Sequence, residues 1–249
     1  MTALVSTVTP GRGWLSADSF LTVLPAVVKS PGALRMTFGG SPACIDLPDE
    51  PTLPAEPPVC AGHAEKVTVS QVLRAVTAGA GVLAPIDEWR SAVRFGAWSS
   101  FDDLADRAPD TLRAIARNHP AAITLGLNIV LLGWSPRQRR CTGASYPSQR
   151  DFEPLSLDGG HGLFPPYWPK DEAAPALAAM WPEAEAGRDV ESFHLAVGRA
   201  QARSSQRGCY SQGALGIGGL MTCGRVSANG ADLIHLGRLT FEPRPGRAA

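Results

Sequence analysis

A threonine beside the first residue is the side chain whose position most directly suggests chemistry. Thr2 follows Met1, and removal of Met1 would leave a free α-amino group on a threonine. Such an amino group has a reference pKa of about 7.7–8.0 and can act as a general base near neutral pH. A threonine hydroxyl is a weak nucleophile until a neighbouring base takes its proton, and its own amino group can do so. The residue type and its place therefore suggest a nucleophilic Thr2.

The sequence around Thr2 predicts a hairpin that would bring a carboxylate towards it. Apolar, β-branched runs stand on both sides of the turn residues 10–13, which is typical of a β-hairpin. If residues 10–12 form the loop, Leu4 faces Asp18, and Thr2 becomes a diagonal neighbour of Asp18 on the same face. A loop one residue longer or shorter would place the two side chains on opposite faces.

The remaining pattern predicts strands that come in hairpins, with helices between the groups of strands. Further strands are expected at residues 33–38, 66–77, 121–134, 139–144, 152–157, 215–226 and 232–241. Helices are expected from Pro85, from Ser100 to 118 with a division at Pro109, at 171–181 and at 189–206. The last helix has one apolar face, formed by Val190, Phe193, Val197 and Ala200. Strands in hairpins disfavour a doubly wound parallel sheet and predict an α+β fold, with two stacked antiparallel sheets and a helix pair outside each.

Composition narrows the classes of partner. The chain has 23 basic and 23 acidic residues and a formal net charge of +0, so we expect neither nucleic acid nor an anionic membrane as partner. The apolar run 121–134 is too short and too polar to cross a membrane, and the N-terminus does not resemble a signal peptide. Five cysteines in no tight repeat indicate reduced thiols and a cytoplasmic location. We interpret residues 1–249 as one domain with a Pro-rich insertion at about 40–64.

Two other groups of residues resemble parts of metal sites. Cys44, Cys60 and His63 offer three zinc-type ligands without an evident fourth. Glu191 and His194 match half of a di-iron helix motif that has no second copy, and we place them on a solvated helix face. The sequence therefore predicts no metal and no other cofactor.

Several short segments together resemble one family. The opening residues 1–6, the segment Ser16-Ala17-Asp18-Ser19, residues 64–67 with the small residues 78–81, and the closing strand at Gly218-Gly219 occur in the order seen in proteasome β-type subunits and bacterial two-component ATP-dependent proteases. These belong to the N-terminal-nucleophile hydrolase superfamily. The resemblance implies a four-layer αββα sandwich, peptide substrates, assembly into rings or other homo-oligomers, and an ATPase unfoldase as a further partner.

The resemblance also implies roles for individual residues. Thr2 would be the nucleophile, Asp18 would orient the amino terminus and the lysine, and Lys66 would lower the pKa of the hydroxyl. The family places its lysine closer to the aspartate than Lys66 is to Asp18, so Lys29 remains an alternative. The sequence context of Lys66 favours it, and the Pro-rich insertion would account for the gap.

Supporting residues are matched only in part. Ser211 lies where the family has a serine that supports the terminal amine, and backbone N–H groups near Gly79 and Gly81 would meet an oxyanion. Gly208 stands where an aspartate is expected, and residues 159–162 have no serine at the position of a Gly-Ser-Gly turn. These departures leave open a second interpretation, in which the chain keeps the sandwich but is an inactive structural or assembly protein of a ring or phage-like particle.

Overall fold

The computed structural model describes residues 3–23, 59–120, 126–164, 174–206 and 217–239. Its strands are β1 (Leu4–Val8), β2 (Arg12–Asp18), β3 (Phe20–Val23), β4 (Val59–His63), β5 (Val67–Ser70), β6 (Ala75–Ala80), β7 (Asn128–Ser135), β8 (Arg140–Pro147), β9 (Leu155–Ser156), β10 (Gly160–Phe164), β11 (Gly219–Ser227) and β12 (Gly230–Leu239). Its helices are α1 (Leu83–Phe95), α2 (Phe101–Asn118), α3 (Ala174–Glu185) and α4 (Val190–Gln206).

Two five-stranded antiparallel sheets form the centre of the molecule. The first has the strand order β10-β1-β2-β11-β12, and the second has the order β5-β6-β7-β8-β9. Strands β3 and β4 pair separately as a two-stranded ribbon. A tight turn joins β11 to β12, because Ser227 pairs with Gly230 at the tip of this hairpin.

Alternate side chains along each strand of the first sheet face different layers of the molecule. In β1, Leu4 and Val8 face the second sheet, whereas Val5 faces helices α3 and α4. The buried side chains between the sheets include Leu15, Val76, Val130, Leu132 and Val226. Side chains on the outer face of the first sheet meet α3 and α4, and those of the second sheet meet α1 and α2. The predicted four-layer αββα arrangement is therefore confirmed.

Helix α2 begins as predicted but does not divide where predicted. The Ser100 hydroxyl accepts the N–H of Asp103 at 3.2 Å, which caps the helix. Pro109 lies inside the continuous helix, so the predicted division is wrong. Buried Ala108 and Leu112 on either side pack with the second sheet, and this packing holds the helix together despite the N–H that proline lacks.

Other differences concern strand boundaries. The single strand predicted at residues 66–77 is two strands, β5 and β6, joined by a turn in which Arg74 adopts a left-handed φ of 48°. Strand β10 was not predicted. The end of the supposed insertion, at residues 59–63, is strand β4, whereas residues 33–38 and 40–58 lie outside the described residues. No described helix combines the length and apolarity needed to cross a membrane.

Candidate functional site

Asp18 ends strand β2 as a fully buried carboxylate. Its Oδ1 accepts the N–H of Ala3 at 2.9 Å, and its Oδ2 accepts the N–H of Gly218 at 3.3 Å. The side-chain exposure is 0%, so these backbone donors replace water around the charge. Asp18 thereby ties the beginning of β1 to the segment that leads into β11.

Lys66 brings an ammonium group to this carboxylate. Its Nζ lies 3.1 Å from Oδ1 of Asp18, and the lysine side chain is only 7% exposed. Because both charges are buried, removal of either partner would leave an uncompensated charge in a region of low dielectric. The same carboxylate oxygen therefore meets the Lys66 ammonium and the Ala3 amide, and Ala3 follows Thr2 directly in the chain.

The β3–β4 ribbon explains how a distant lysine reaches Asp18. Strand β3 starts two residues after Asp18, and β4 ends three residues before Lys66. The N–H of Ala64 donates to the carbonyl of Ser19 at 2.9 Å at the base of the ribbon. The Ser19 hydroxyl in turn accepts the N–H of Leu220 at 2.9 Å, which fixes this base to β11. Strands β3 and β4 therefore bring Ala64 back beside Ser19, so that Lys66 follows close to Asp18.

The register of the first hairpin differs from the predicted one. Val8 pairs with Gly13 and Leu4 pairs with Ala17, so the predicted pairing of Leu4 with Asp18 is wrong by one residue. The N–H of Thr9 donates to the carbonyl of Arg12 at 2.9 Å, which leaves a two-residue turn instead of a three-residue loop. Asp18 is consequently opposite Ala3 and contacts its backbone amide. The predicted diagonal relationship between the side chains of Thr2 and Asp18 does not follow from this register.

The two candidate oxyanion glycines lie at the end of β6. Continuing the β5–β6 ladder beyond the pair Val67–Ala78 places Gly79 opposite Lys66. A Cβ on Gly79 would lie 2.8 Å from side-chain atoms of Ile86 and Ile129, so this glycine has a packing role. Gly81 has a φ of +132°, a conformation that favours glycine. Their predicted role as N–H donors to an oxyanion stays a prediction.

Three other predicted site residues cannot be placed. Thr2, Lys29 and Ser211 lie outside the described residues, as does Cys44. Their roles stay predictions. Within the described part of the chain, no group of three or more His, Cys, Asp or Glu side chains could hold a metal ion.

Most of the segment 159–162, which stands at the position of the family's Gly-Ser-Gly turn, forms a strand. Residues 160–162 belong to β10 and pair with β1, where His161 is opposite Thr7. His161 is buried, and its Nδ1 lies 2.7 Å from Oγ1 of Thr7. Residues 160–162 therefore form part of an edge strand of the first sheet, and of this segment only Gly159 lies in a turn.

His194 is buried, and its predicted place on a solvated helix face is wrong. Its Nε2 lies 2.8 Å from Oγ1 of Thr7 and its Nδ1 lies 2.7 Å from Oγ of Ser16. The sequence did contain a signal for this burial. His194 stands four residues after Val190 and three before Val197, which is the spacing of the apolar face already recognised in α4.

Comparison with known proteins supports the fold. Anbu (ancestral beta-subunit) from Yersinia bercovieri is similar with a TM-score of 0.54 and 12% identity, over 95% of this chain and 87% of that chain. An Anbu (Gly-1) mutant from Hyphomicrobium sp. strain MC1 is similar with a TM-score of 0.54 and 11% identity, over 95% of this chain and 88% of that chain. No protein-family model and no curated protein matches the sequence. At these identities the likeness shows the fold alone, which is the proteasome-like N-terminal-nucleophile hydrolase fold.

Proposed function

We propose that the chain is an N-terminal threonine hydrolase that cleaves peptide or other amide bonds through Thr2 after Met1 is removed. One observation carries the proposal: the buried Lys66 ammonium and Asp18 carboxylate meet at the amide of Ala3, the residue that follows Thr2. The proteasome-like fold supports it, since both similar structures are Anbu proteins and one of them is an ancestral beta-subunit.

The proposed chemistry is acyl transfer. The Thr2 hydroxyl oxygen attacks the substrate carbonyl carbon while the Thr2 amine takes the hydroxyl proton. The carbon–nitrogen bond then breaks, and the protonated amine gives its proton to the leaving nitrogen. Water attacks the resulting ester, again through the amine as base, and releases the carboxylic acid while the hydroxyl is restored.

Each supporting residue has a distinct part in this proposal. The Lys66 ammonium stabilises negative charge on the Thr2 oxygen and so lowers the pKa of the hydroxyl. Asp18 keeps Lys66 oriented and balances its charge. Ser211 supports the terminal amine, and backbone N–H groups near Gly79 and Gly81 stabilise the tetrahedral oxyanion.

We extend the proposal to assembly and setting. The resemblance to proteasome subunits implies rings or other homo-oligomers, with an ATPase unfoldase as a further partner. The five cysteines in no tight repeat favour a cytoplasmic location. Light scattering of the purified chain tests self-association: an oligomeric mass supports it, and a monomer at all concentrations contradicts it.

A second candidate function is that of an inactive structural or assembly protein. It is favoured by residues 159–162, which supply no serine and enter strand β10, and by Gly208 at the position of an expected aspartate. Turnover separates the two candidates, because the fold is common to both.

Hydrolysis of a panel of fluorogenic peptides tests the proposal. We expect turnover by the wild type and a loss of at least about a hundredfold in Thr2→Ala, because the nucleophile is gone. The matched control is Thr111→Ala, since the Thr111 hydroxyl only donates to the Arg107 carbonyl within α2. Equal activity in Thr2→Ala and the wild type would contradict the proposed nucleophile. Absence of turnover in the oligomeric wild type with Met1 removed would favour the structural candidate.

A further inference from the structure

Four polar side chains are joined in a continuous, buried chain of hydrogen bonds on the outer face of the first sheet. His161 of β10 contacts Thr7 of β1 at 2.7 Å, Thr7 contacts His194 of α4 at 2.8 Å, and His194 contacts Ser16 of β2 at 2.7 Å. None of the four side chains belongs to the proposed catalytic machinery. All four are buried, with exposures of 0% for Thr7, Ser16 and His194 and 3% for His161.

This hydrogen-bonded chain connects helix α4 and the first sheet, which also meet through apolar side chains and through the hydrogen bond from Trp14 to Glu191. Helix α4 packs on the sheet through Phe193, Val197 and Ala200. The two ring nitrogens of His194, on α4, reach both strands of the first hairpin, through Thr7 and Ser16. Ser16 lies two residues before Asp18 on the same face of β2, at a distance of about 7 Å along the strand.

Two neutral imidazoles, together with the two hydroxyl groups, supply the protons that the three hydrogen bonds need. The Thr7 hydroxyl has one proton, so it donates to one histidine and accepts from the other. With both imidazoles neutral, each of the three contacts contains one proton, in either direction along the chain. If His194 took up one further proton, all three hydrogen bonds could still form. A second, on His161, would point two N–H donors at Thr7 and leave the Thr7 proton without a place in the chain.

The surroundings offer little compensation for positive charge. Glu191, one turn before His194 on α4, accepts the Trp14 indole N–H at 3.1 Å and lies 3.6 Å from the Arg225 guanidinium. Asp18, on the same face of β2 as Ser16, is bound to Lys66. Both nearby carboxylates are therefore already engaged with cations or donors.

Among the described residues, the remaining elements around His194 add no negative charge. Cys223 of β11 is a neighbour of Ser16, and burial raises the pKa of its thiol to about 12, so it is neutral. Helix α3 contributes Trp181, whose ring packs edge-on against His161 with the centroids 4.4 Å apart. Burial lowers the pKa of His161 to about 4. Burial, and to a smaller extent the nearby charge of His161, lower the pKa of His194 well below its usual value.

We propose that the chain His161–Thr7–His194–Ser16 is an acid-sensitive latch, which holds helix α4 against the β1–β2 hairpin while both imidazoles are neutral and releases it when they are protonated. The latch does not depend on the proposed hydrolase function. Ser16, at one end of the latch, and Asp18, in the candidate site, both belong to β2.

The direction of the pH effect follows from linkage. Each histidine has an ordinary pKa of about 6.5 in the unfolded chain and a lower one in the folded protein, so the unfolded chain binds more protons below pH 6.5. The contribution of the latch is therefore complete above about pH 6.5. It is lost progressively as pH falls towards about 4, the pKa of folded His161.

Urea unfolding at pH 7 and pH 5 tests the latch. For the wild type we expect the unfolding midpoint to fall by on the order of 1 M between these pH values. The double variant His161→Gln/His194→Gln should show a much smaller fall, because glutamine does not titrate. His119→Gln is the matched control: His119 is a surface residue 2.8 Å from Glu88, so its variant should behave as the wild type does. An unchanged wild-type midpoint, or an equal fall in the double variant, would overturn the proposal.

Two measurements on the wild type keep the proposal testable if the double variant does not fold. Long-range proton–nitrogen spectra of the histidine rings should show two imidazoles still neutral at pH 5.5, and titration of all rings near pH 6.5 would contradict the latch. Amide exchange, corrected for its intrinsic pH dependence, should show that α4 loses more protection than α2 between pH 7 and pH 5. Equal losses in both helices would show that no local latch exists.

Discussion

Nζ of Lys66 lies 3.1 Å from Oδ1 of Asp18, although the two residues are 48 positions apart. The β3–β4 ribbon makes this contact local in space, because the chain leaves the sheet just after Asp18 and returns just before Lys66. The lengthened spacing is therefore compatible with an ordinary aspartate–lysine pair at the start of β1.

Replacement of the buried cation should be costly. Lys66→Met leaves the Asp18 carboxylate buried beside two backbone amides without its ammonium partner, and we expect a loss of about 3–5 kcal/mol in the free energy of unfolding. Urea unfolding at pH 7 measures this loss. The matched control is Arg137→Met at the exposed pair with Asp106, which should leave the midpoint nearly unchanged. Similar effects of the two substitutions would contradict the buried-pair interpretation.

The layers of the fold and the contact between Asp18 and Lys66 could be predicted from the sequence, but the register of the first hairpin could not. The residues Pro10-Gly11-Arg12-Gly13 are compatible with turns of two or three residues. A register shift of one residue moves every side chain of the strand to the other face of the sheet. The register was settled by packing, since Leu4 and Leu15 both enter the core between the sheets. The contact of Asp18 with the Ala3 amide could not be foreseen from side-chain faces.

The buried histidines were missed for a different reason. A histidine has no fixed preference for surface or interior, so its residue type did not predict burial, and the match of Glu191 and His194 to half of a metal motif placed His194 on the solvated face. The periodicity of α4 would have placed it inside. His161 had no comparable signal, because its strand is short and surrounded by glycines at 159, 160 and 162.

Close contact between the sheets predicts an effect of a single methyl group. A Cβ on Gly224 of β11 would overlap Val76 and lie 2.9 Å from Cγ1 of Val67, both in the second sheet. Gly224→Ala should therefore lower the free energy of unfolding by about 1–3 kcal/mol, as overpacking does. Thermal or urea unfolding checks this value.

Gly11 provides the control for that substitution. A Cβ at Gly11 has nothing within 4 Å, so Gly11→Ala should not destabilise the protein. Equal destabilisation by Gly11→Ala and Gly224→Ala would show that the effect belongs to glycine replacement in general and not to sheet packing.

Two buried thiols should resist alkylation. Burial raises the pKa values of Cys141 and Cys223 to about 12, so the reactive thiolate is scarce at pH 8. Mass spectrometry of peptides after treatment with N-ethylmaleimide should show both cysteines unmodified in the folded protein and modified in concentrated urea. Equal modification in both conditions would contradict the burial of these strands.

The most direct test of the account is the location of a covalent adduct. An electrophile that forms a ring with the amine and hydroxyl of an N-terminal threonine is added, and intact mass followed by peptide fragmentation locates the product. We predict a chain that lacks one methionine and carries a single adduct on Thr2, formed much more slowly in Lys66→Met. A mass that retains Met1, or an adduct that persists in Thr2→Ala, would contradict the claim that Thr2 is the nucleophile.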